Sequence, residues 1–498
     1  MKKIFTAVAD YWNGYSFAQK IFFIFLWGIG LHLPICFGNF VAHDEQYTLL
    51  LMQKSLSEML GLIVGEDGHP PLSYLFYRLF AFGDWETMIH NTRIAGFAVY
   101  ALGMCALGYW PVRRLLNEKT ALWFVFLAMF MPVSFYLSAN IRMYGFACLF
   151  LTGEFVYALN IAFKRCKGDW IYFTIFSVLG LYSHYYCVLV SALIWLMLFY
   201  DLWQQKEYRE LKYIFACGAI TAICFLPWVY VFVQQYLQMK TTWYPSWFEV
   251  QTAFRGFFES YNLPPLMIDI ICGLMFILLL FKKCFGSQNT EMPVKVVRRA
   301  LFVALGLYLL GWAISFILRP MLVGMYLAVI RCIVYLAVVS ALPKKTFFKA
   351  FFVLIVVLEI IGNYNNYYEY SHLNFWERGV NLVNSHVAKG NVILYGDTHS
   401  HLFLRTSFPE AKIYYAPLEP ELILLHDEVA KETFTEDNLD KSAVYGIYDC
   451  HSRKKYRIGT VVERFAGLYY PLCLLKFSAD EVRILLDKSQ PIREQSLY

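Results

Sequence analysis

Long apolar runs separated by short polar steps fill most of this chain, and many of the runs have the length that a helix needs to cross a bilayer. The first, about 21–37, follows a lead containing Lys2, Lys3 and Lys20 and has no clear small-residue cleavage site, so it reads as an uncleaved span. A second run, about 94–110, ends in Pro111, Arg113 and Arg114, and a third covers about 121–136. The polar step Ser138-Ala-Asn140-Ile-Arg142-Met-Tyr144 turns into a fourth run, which stops at Lys164, Arg165 and Lys167. A fifth begins at Asp169 or Trp170 and is interrupted by Tyr182-Ser183-His184-Tyr185-Tyr186 before a sixth that ends near Tyr200. The seventh is about 213–233, the eighth ends at Lys282 and Lys283, Arg319-Pro320 divides the ninth from the tenth, and an eleventh ends near Asn363.

Two polar stretches within this part are too long to be connectors. One is a first outer loop, 38–90, in which Leu50, Met52, Leu56, Met59, Leu60 and Ile63 recur at helical spacing beside Gln53, Lys54, Ser57 and Glu58. That pattern predicts a helix lying along the interface over 49–64. The other is the aromatic loop 234–265. From about Tyr364 the hydropathy falls to that of a soluble chain. Short strands are predicted at 391–397, 412–415 and 443–448, with helical patterns at 376–387 and 399–406, which together make a small α/β domain. The division is therefore a membrane domain, 1–363, and a soluble domain, 364–498.

Composition agrees with this reading. Of 498 residues 59% are hydrophobic and only 16% charged, more apolar surface than a soluble protein can cover. The 37 Tyr, 44 Phe and 13 Trp suit a chain with many membrane interfaces. The 12 Cys fall mostly singly within apolar runs, with no Cys-x-x-Cys and no zinc spacing, and read as small buried hydrophobes. Cys450 and Cys473 lie in the polar part and can pair if that part is extracytoplasmic. No basic tract suggests nucleic acid.

The Lys/Arg clusters at 2–20, 113–119, 164–167, 206–212, 282–299 and 344–349 fall on alternate loops, all on one side if there are about eleven spans. That side is expected to be cytoplasmic, and the C-terminal domain then lies outside. The opposite face carries Asp44, Glu45, His69, Arg142, Tyr144, His184, Tyr185 and Arg319.

Each of these has a plainer reading beside the chemical one. His43-Asp44-Glu45-Gln46 stands where the first span emerges, in reach of lipid head groups and soluble substrates, or it is a solvated pair that ends a helix. His69-Pro70-Pro71-Leu72 makes a rigid turn before a helix starting at Ser73, with a histidine that is either functional or incidental. Arg142, on the outer rim, suits a phosphate through its planar fork, or anchors a span end to lipid. His184 is a substrate contact or a structural interfacial histidine. Within the spans, Asp269 reads as interfacial, whereas Glu154 and Arg331 sit at similar depth and are expected to pair, directly or through one intermediary.

Asp44-Glu45 after the first span, Gly68-His69-Pro70-Pro71-Leu72, Arg142-Met-Tyr144 and Tyr182-Ser183-His184-Tyr185 together resemble the GT-C superfamily of membrane glycosyltransferases. The nearest-looking members are bacterial relatives of the protein O-mannosyltransferases and the lipid A aminoarabinose transferase. The likeness covers roughly residues 20–345, and a small extracytoplasmic tail also occurs among such proteins. The resemblance implies a GT-C-like helical bundle in a bacterial cell membrane. It also implies inverting transfer of a hexosyl or pentosyl group from a polyprenyl-phosphate donor to a protein, lipid or glycan at the outer face. On it Asp44 is catalytic with Glu45 as its neighbour, and His69, Arg142, Tyr144, His184, Tyr185 and Arg319 bind the donor. Where relatives often show Arg-Tyr-Leu after a basic-Pro step, this chain has Arg319-Pro320 and then Met325-Tyr326-Leu327, leaving Arg319 as the late-span phosphate candidate. With a hydroxyl acceptor Asp44 is the general base; with a phosphate acceptor it only positions, or binds a divalent cation. No organic cofactor is called for. A non-catalytic carrier or flippase for lipid-linked sugars shares the many spans and buried charges, and a glycan polymerase or ligase shares the outer face but uses a pyrophosphate-linked donor.

Overall fold

The computed structural model describes residues 12–342 except 39, 40, 42, 66, 132–136, 239–244, 246, 255–290 and 319, and beyond 342 it describes scattered positions and five strands. Two compact units result, one of Met1–Asn39 with Thr48–Ser371 and one of Phe40–Tyr47 with His372–Tyr498.

The first unit is helical, and six of its helices are long and apolar enough to cross a membrane: Phe17–Cys36, Trp85–Leu115, Tyr144–Lys164, Tyr186–Gln204, Tyr208–Tyr236 and Met292–Ile317. The protein is a multi-pass membrane protein. Shorter helices, Glu118–Phe130, Asp169–Leu181 and Arg331–Ala341, stand where the third, fifth and tenth spans were expected. The eighth expected span, with Asp269, lies outside the described residues, as does most of the eleventh, so the described part carries six helices of spanning length rather than eleven.

Local sequence fixes the helix ends. Ser16 and Gln19 form a reciprocal capping box that starts Phe17–Cys36, and the Asp84 side chain accepts from the Thr87 amide to start the next span. That span widens into a π-helical turn over Gly108–Val112, where Pro111 has no amide to give to a regular ladder. The predicted interfacial helix is instead two helices, His43–Gln53 and Leu56–Gly65, broken at Ser55. Ser55 caps the second, accepting from the Glu58 amide while the Glu58 carboxylate accepts from the Ser55 amide.

Tyr144–Lys164 is the central helix, buried continuously from Tyr144 to Ala162. It packs against Trp85–Leu107, Asp169–Leu181, Tyr186–Gln204 and Arg331–Ala341. One end of this bundle is tied by ion pairs. Both Asp169 oxygens accept from Arg114 at 2.6 Å, Arg114 Nε donates to Asn160 Oδ1 at 3.0 Å, and Asp201 takes Arg299 in a two-point pair. Lys295 Nζ lies over the Phe163 ring at 4.6 Å. Arg113, Arg114, Lys164, Lys295 and Arg299 all belong to the basic clusters seen in the sequence, and all lie at this end.

The expected pairing of Glu154 with Arg331 is not what the structure has. The carboxylate of Glu154 is fully buried and takes its hydrogen bonds from neutral donors on two neighbouring helices: Ser177 at 2.7 Å, Ser191 at 2.7 Å and Trp195 Nε1 at 3.1 Å. Hydroxyls and an indole reach across tight helix contacts without adding a second charge to desolvate. Arg331 instead lies beside Tyr335, one turn along its own helix.

In the second unit five strands form one sheet in the order β2-β1-β3-β5-β4, with β1 Val392–Tyr395, β2 Lys412–Tyr415, β3 Val444–Asp449, β4 Thr460–Ala466 and β5 Pro471–Lys476. β1 pairs in parallel with β2 and β3, and β5 pairs antiparallel with β3 and β4. The first three are the predicted strands. The helical patterns at 376–387 and 399–406, and Cys450, fall outside the described residues apart from isolated positions.

Candidate active site

The motifs that the sequence scatters over more than a hundred positions meet at the end of the bundle opposite the ion pairs. Their first link is backbone: the Leu72 amide, just after His69-Pro70-Pro71, donates to the Tyr182 carbonyl at 3.1 Å. Two prolines leave that turn short of donors and stiff, so one backbone bond suffices to dock it. The helix that follows begins at Leu72, one residue earlier than predicted. Its Tyr77 hydroxyl reaches the carbonyls of Asn140 and Arg142, at 3.2 and 3.3 Å, and so holds the loop that precedes the central helix. Gly145 completes this packing, because a Cβ there would lie 2.3 Å from the Leu137 carbonyl oxygen.

Arg142 is the centre of the cluster. It is buried, at 5% exposure. Its Nη1 donates to Thr48 Oγ1 at 3.0 Å and to the Tyr74 hydroxyl at 3.2 Å, and its Nη2 lies 3.5 Å from His69 Nδ1. His69 Nδ1 is closer to Asp67 Oδ1, at 2.9 Å, and since a carboxylate can only accept, Nδ1–H donates to it. Asp67 Oδ1 also accepts from the Gly68 amide at 2.7 Å. Burial pushes the Asp67 carboxyl up, but the charge and hydrogen bond of His69, with Arg142 beyond it, outweigh burial and hold it below the usual carboxylate value.

On the far side of His69 is an aromatic nest. The His184 ring lies 5.7 Å from His69, 5.6 Å from Tyr144, 5.8 Å from Tyr186 and 5.1 Å from Tyr326, centre to centre. The Tyr186 hydroxyl donates to the Met321 carbonyl at 3.0 Å, drawing in the segment that carries Tyr326. Tyr185 faces another way. Its hydroxyl donates to Gln235 Oε1 and accepts from Trp228 Nε1 at 3.0 Å, while Gln235 Nε2 donates to the Ile63 carbonyl at 2.6 Å. That group ties the Leu56–Gly65 and Tyr208–Gln238 helices to the start of Tyr186–Gln204.

Asp44 and Glu45 occupy the first turn of the His43–Gln53 helix. Asp44 is half-buried and Glu45 buried, and Gln46 Nε2 donates to the Val41 carbonyl at 3.1 Å. Asp44 stands one helical turn before Thr48, on the same face of that helix. Arg319 lies outside the described residues.

His69, Arg142, Tyr144 and His184 are therefore brought together, and Thr48, Asp67, Tyr74 and Tyr326 join them unforeseen. Two of these had a signal in the chain. Thr48 is four residues after Asp44, and Asp67 stands two before His69 in a glycine-containing turn, the spacing at which a carboxylate meets a ring nitrogen. Among the described residues no group of three or more His, Cys, Asp or Glu is arranged to hold a metal ion.

The helical unit thus carries a buried arginine-histidine-tyrosine cluster at one end, and a small mixed sheet forms a unit by itself. Among solved structures, the chain is similar to ArnT from Cupriavidus metallidurans in the apo state, with a TM-score of 0.57 over 94% of this chain and 99% of that one, at 11% identity. It is similar also to the same protein bound to undecaprenyl phosphate, with a TM-score of 0.55 over 93% and 98% of the two chains, again at 11% identity. The likeness is one of fold, and it bears out the GT-C-like architecture expected from the sequence. No family model matches the chain, and no curated protein sequence matches it.

Proposed function

We propose that the protein transfers one sugar from a polyprenyl-phosphate carrier to an acceptor at the outer face of the membrane. The observation that carries this reading is Arg142, a buried guanidinium held by Thr48 and Tyr74 within an ArnT-like fold. A buried arginine positioned by two hydroxyls is suited to an anion, and the ArnT structure bound to undecaprenyl phosphate suggests which anion.

The transfer is a displacement at the anomeric carbon. The bond from that carbon to the phosphate oxygen breaks, a bond to the acceptor oxygen forms on the opposite face, and the polyprenyl phosphate leaves with the electron pair. Arg142 stabilises the charge growing on the leaving phosphate. Asp44 receives the proton of a hydroxyl acceptor, and the buried Glu45 orients it. His69, Tyr144 and His184 line the donor side, Tyr185 supports them through Gln235, and Arg319 is assigned to the late-span side of the phosphate. The sugar and acceptor classes remain those that the family resemblance implies: a hexose or pentose, and a protein, lipid or glycan.

The test is transfer of label from undecaprenyl-phosphate sugars, made with a panel of hexoses and pentoses, in membranes holding equal amounts of each variant. The wild-type protein should transfer at least one sugar. Asp44→Asn should lower the rate by about 10² to 10⁴, the usual worth of a general base. Arg142→Ala should also lose transfer, whereas Glu45→Gln should be milder. Near-normal transfer by Asp44→Asn would remove the general-base role, and no transfer of any sugar by the wild-type protein would remove the reading.

A further inference from the structure

Two long helices begin side by side at the candidate site. Tyr144–Lys164 and Tyr186–Gln204 pack against each other, and their amino-terminal ends carry the positive poles of their dipoles. Arg142 stands two residues before the first helix, and His184 two residues before the second.

The state of the His184 ring is set by its own helix. The Tyr186 amide donates to His184 Nδ1 at 3.1 Å, so in the neutral ring the proton is on Nε2. Nε2 is fully buried and has no hydrogen-bond partner among the described residues, in a residue that is 3% exposed. Burial first, then the nearby His69 and Arg142 charges, push the imidazole well below its usual value and keep it uncharged. A buried N–H left without an acceptor is costly, and native structures keep few of them. The surrounding rings of Tyr144, Tyr186 and Tyr326 hold the imidazole in place. What the arrangement lacks is an acceptor, and between two helix amino termini and beside Arg142 the acceptor that fits is an anionic oxygen.

We infer that His184 Nε2–H is a neutral hydrogen-bond donor to a phosphate oxygen of the lipid-linked substrate, acting beside Arg142 at the paired starts of the Tyr144–Lys164 and Tyr186–Gln204 helices. This rests on the polyprenyl-phosphate reading above. It divides the work: the guanidinium supplies charge, and the imidazole supplies direction without adding a further charge to the buried site.

Two substitutions separate this role from a structural one. Asn places its amide oxygen where Nδ1 is, so His184→Asn keeps the acceptor for the Tyr186 amide but loses the distal donor. Gln reaches further, so His184→Gln keeps a donor near the Nε2 position and gives up the helix-start bond. Binding of radiolabelled undecaprenyl phosphate to the purified protein in detergent is measured for both, with undecaprenol as the uncharged lipid and inorganic phosphate as competitor. His184→Asn should bind undecaprenyl phosphate about 10-fold more weakly or worse, and His184→Gln should stay within about threefold of wild type. Undecaprenol binding should be alike in all three.

Wild-type affinity in His184→Asn, an equal loss in both variants, or an equal loss for undecaprenol would overturn the inference. Displacement by inorganic phosphate at concentrations comparable to the lipid would make the seat one for free phosphate and overturn the lipid assignment. If His184→Asn fails to fold, His184→Phe, which keeps the ring packing without a donor, takes its place; if neither folds, the residue is structural and the inference is overturned. A wild-type protein that binds neither lipid removes the polyprenyl-phosphate reading itself, whereas wild-type binding with indifferent variants removes only the role of His184.

Discussion

At the scale of single residues the site is a set of buried polar groups held by unlike means. Arg142 is fixed by two hydroxyls, Asp67 by a ring and an amide, and His184 by an amide on one nitrogen only. The last has a consequence for stability. A histidine whose folded value lies below its ordinary 6.5 is unprotonated in the folded protein where the unfolded chain already binds a proton. The unfolded state then binds more protons, so stability falls as pH drops below about 6.5, by up to about 1.4 kcal/mol per pH unit. In detergent, the thermal midpoint of the wild-type protein should fall on going from about pH 7.5 to about pH 5, and His184→Gln should flatten that fall. Parallel curves for the two proteins would mean that His184 is charged in the folded state. The charged neighbours of the ring are His69 and Arg142, and the rest of its surroundings are the rings of Tyr144, Tyr186 and Tyr326.

At the scale of elements the loop from Ser138 to Met143 decides where Arg142 points, and its room is set by one glycine. The Cβ of alanine at position 145 would meet the Leu137 carbonyl oxygen at 2.3 Å, which is backbone and cannot swing aside. Gly145→Ala should therefore cost about 1 to 3 kcal/mol, as overpacking does, and should also weaken undecaprenyl phosphate binding by moving Arg142. Gly61→Ala, which meets nothing within 4 Å, is the control and should leave the thermal midpoint level or raised. Equal midpoints for the two variants would show that the loop yields. Much of this element-level layout was legible in the chain. Apolar runs set six spans, the Tyr182–Tyr186 step marked the start of a helix, and three of the five strands stood out by alternation. The rest depended on partners distant in sequence. Glu154 and Arg331 looked like a pair because depth along a helix is readable from residue number, but which helices adjoin is not, and Ser177, Ser191 and Trp195 carry no signal of their own as carboxylate donors. The same holds for Thr48 and Tyr74 around Arg142. β4 and β5 were missed because their side chains, such as Glu463, Arg464 and Lys476, interrupt the apolar alternation, and their antiparallel pairing supplies what pattern does not.

At the scale of the whole molecule, charge and chemistry are sorted to opposite ends of the helical unit. Asp169, Asp201, Arg114 and Arg299 are paired at one end, while Arg142, His69 and His184 gather at the other. Basic loops are retained on the cytoplasmic side of a membrane. A reporter active only outside the cytoplasm should accordingly be silent when fused after Lys344 and active when fused after Tyr498. The reverse pattern would put the Arg142 cluster on the cytoplasmic face and remove access to an outer-face acceptor. The central helix has a further consequence, which concerns the order of synthesis. It emerges from the ribosome bearing Glu154, but the side chains that satisfy this carboxylate, Ser177, Ser191 and Trp195, are translated only afterwards. Until residue 177 has been made, this segment offers the lipid a carboxylate with none of its three donors, and the set is complete only at residue 195, so the hydrocarbon interior disfavours the helix on its own. The helix with the most thoroughly buried surface thus settles into the bilayer as part of a trio with the two helices that follow it, and the end of the trio beside which Arg142 and His184 lie is completed only with them.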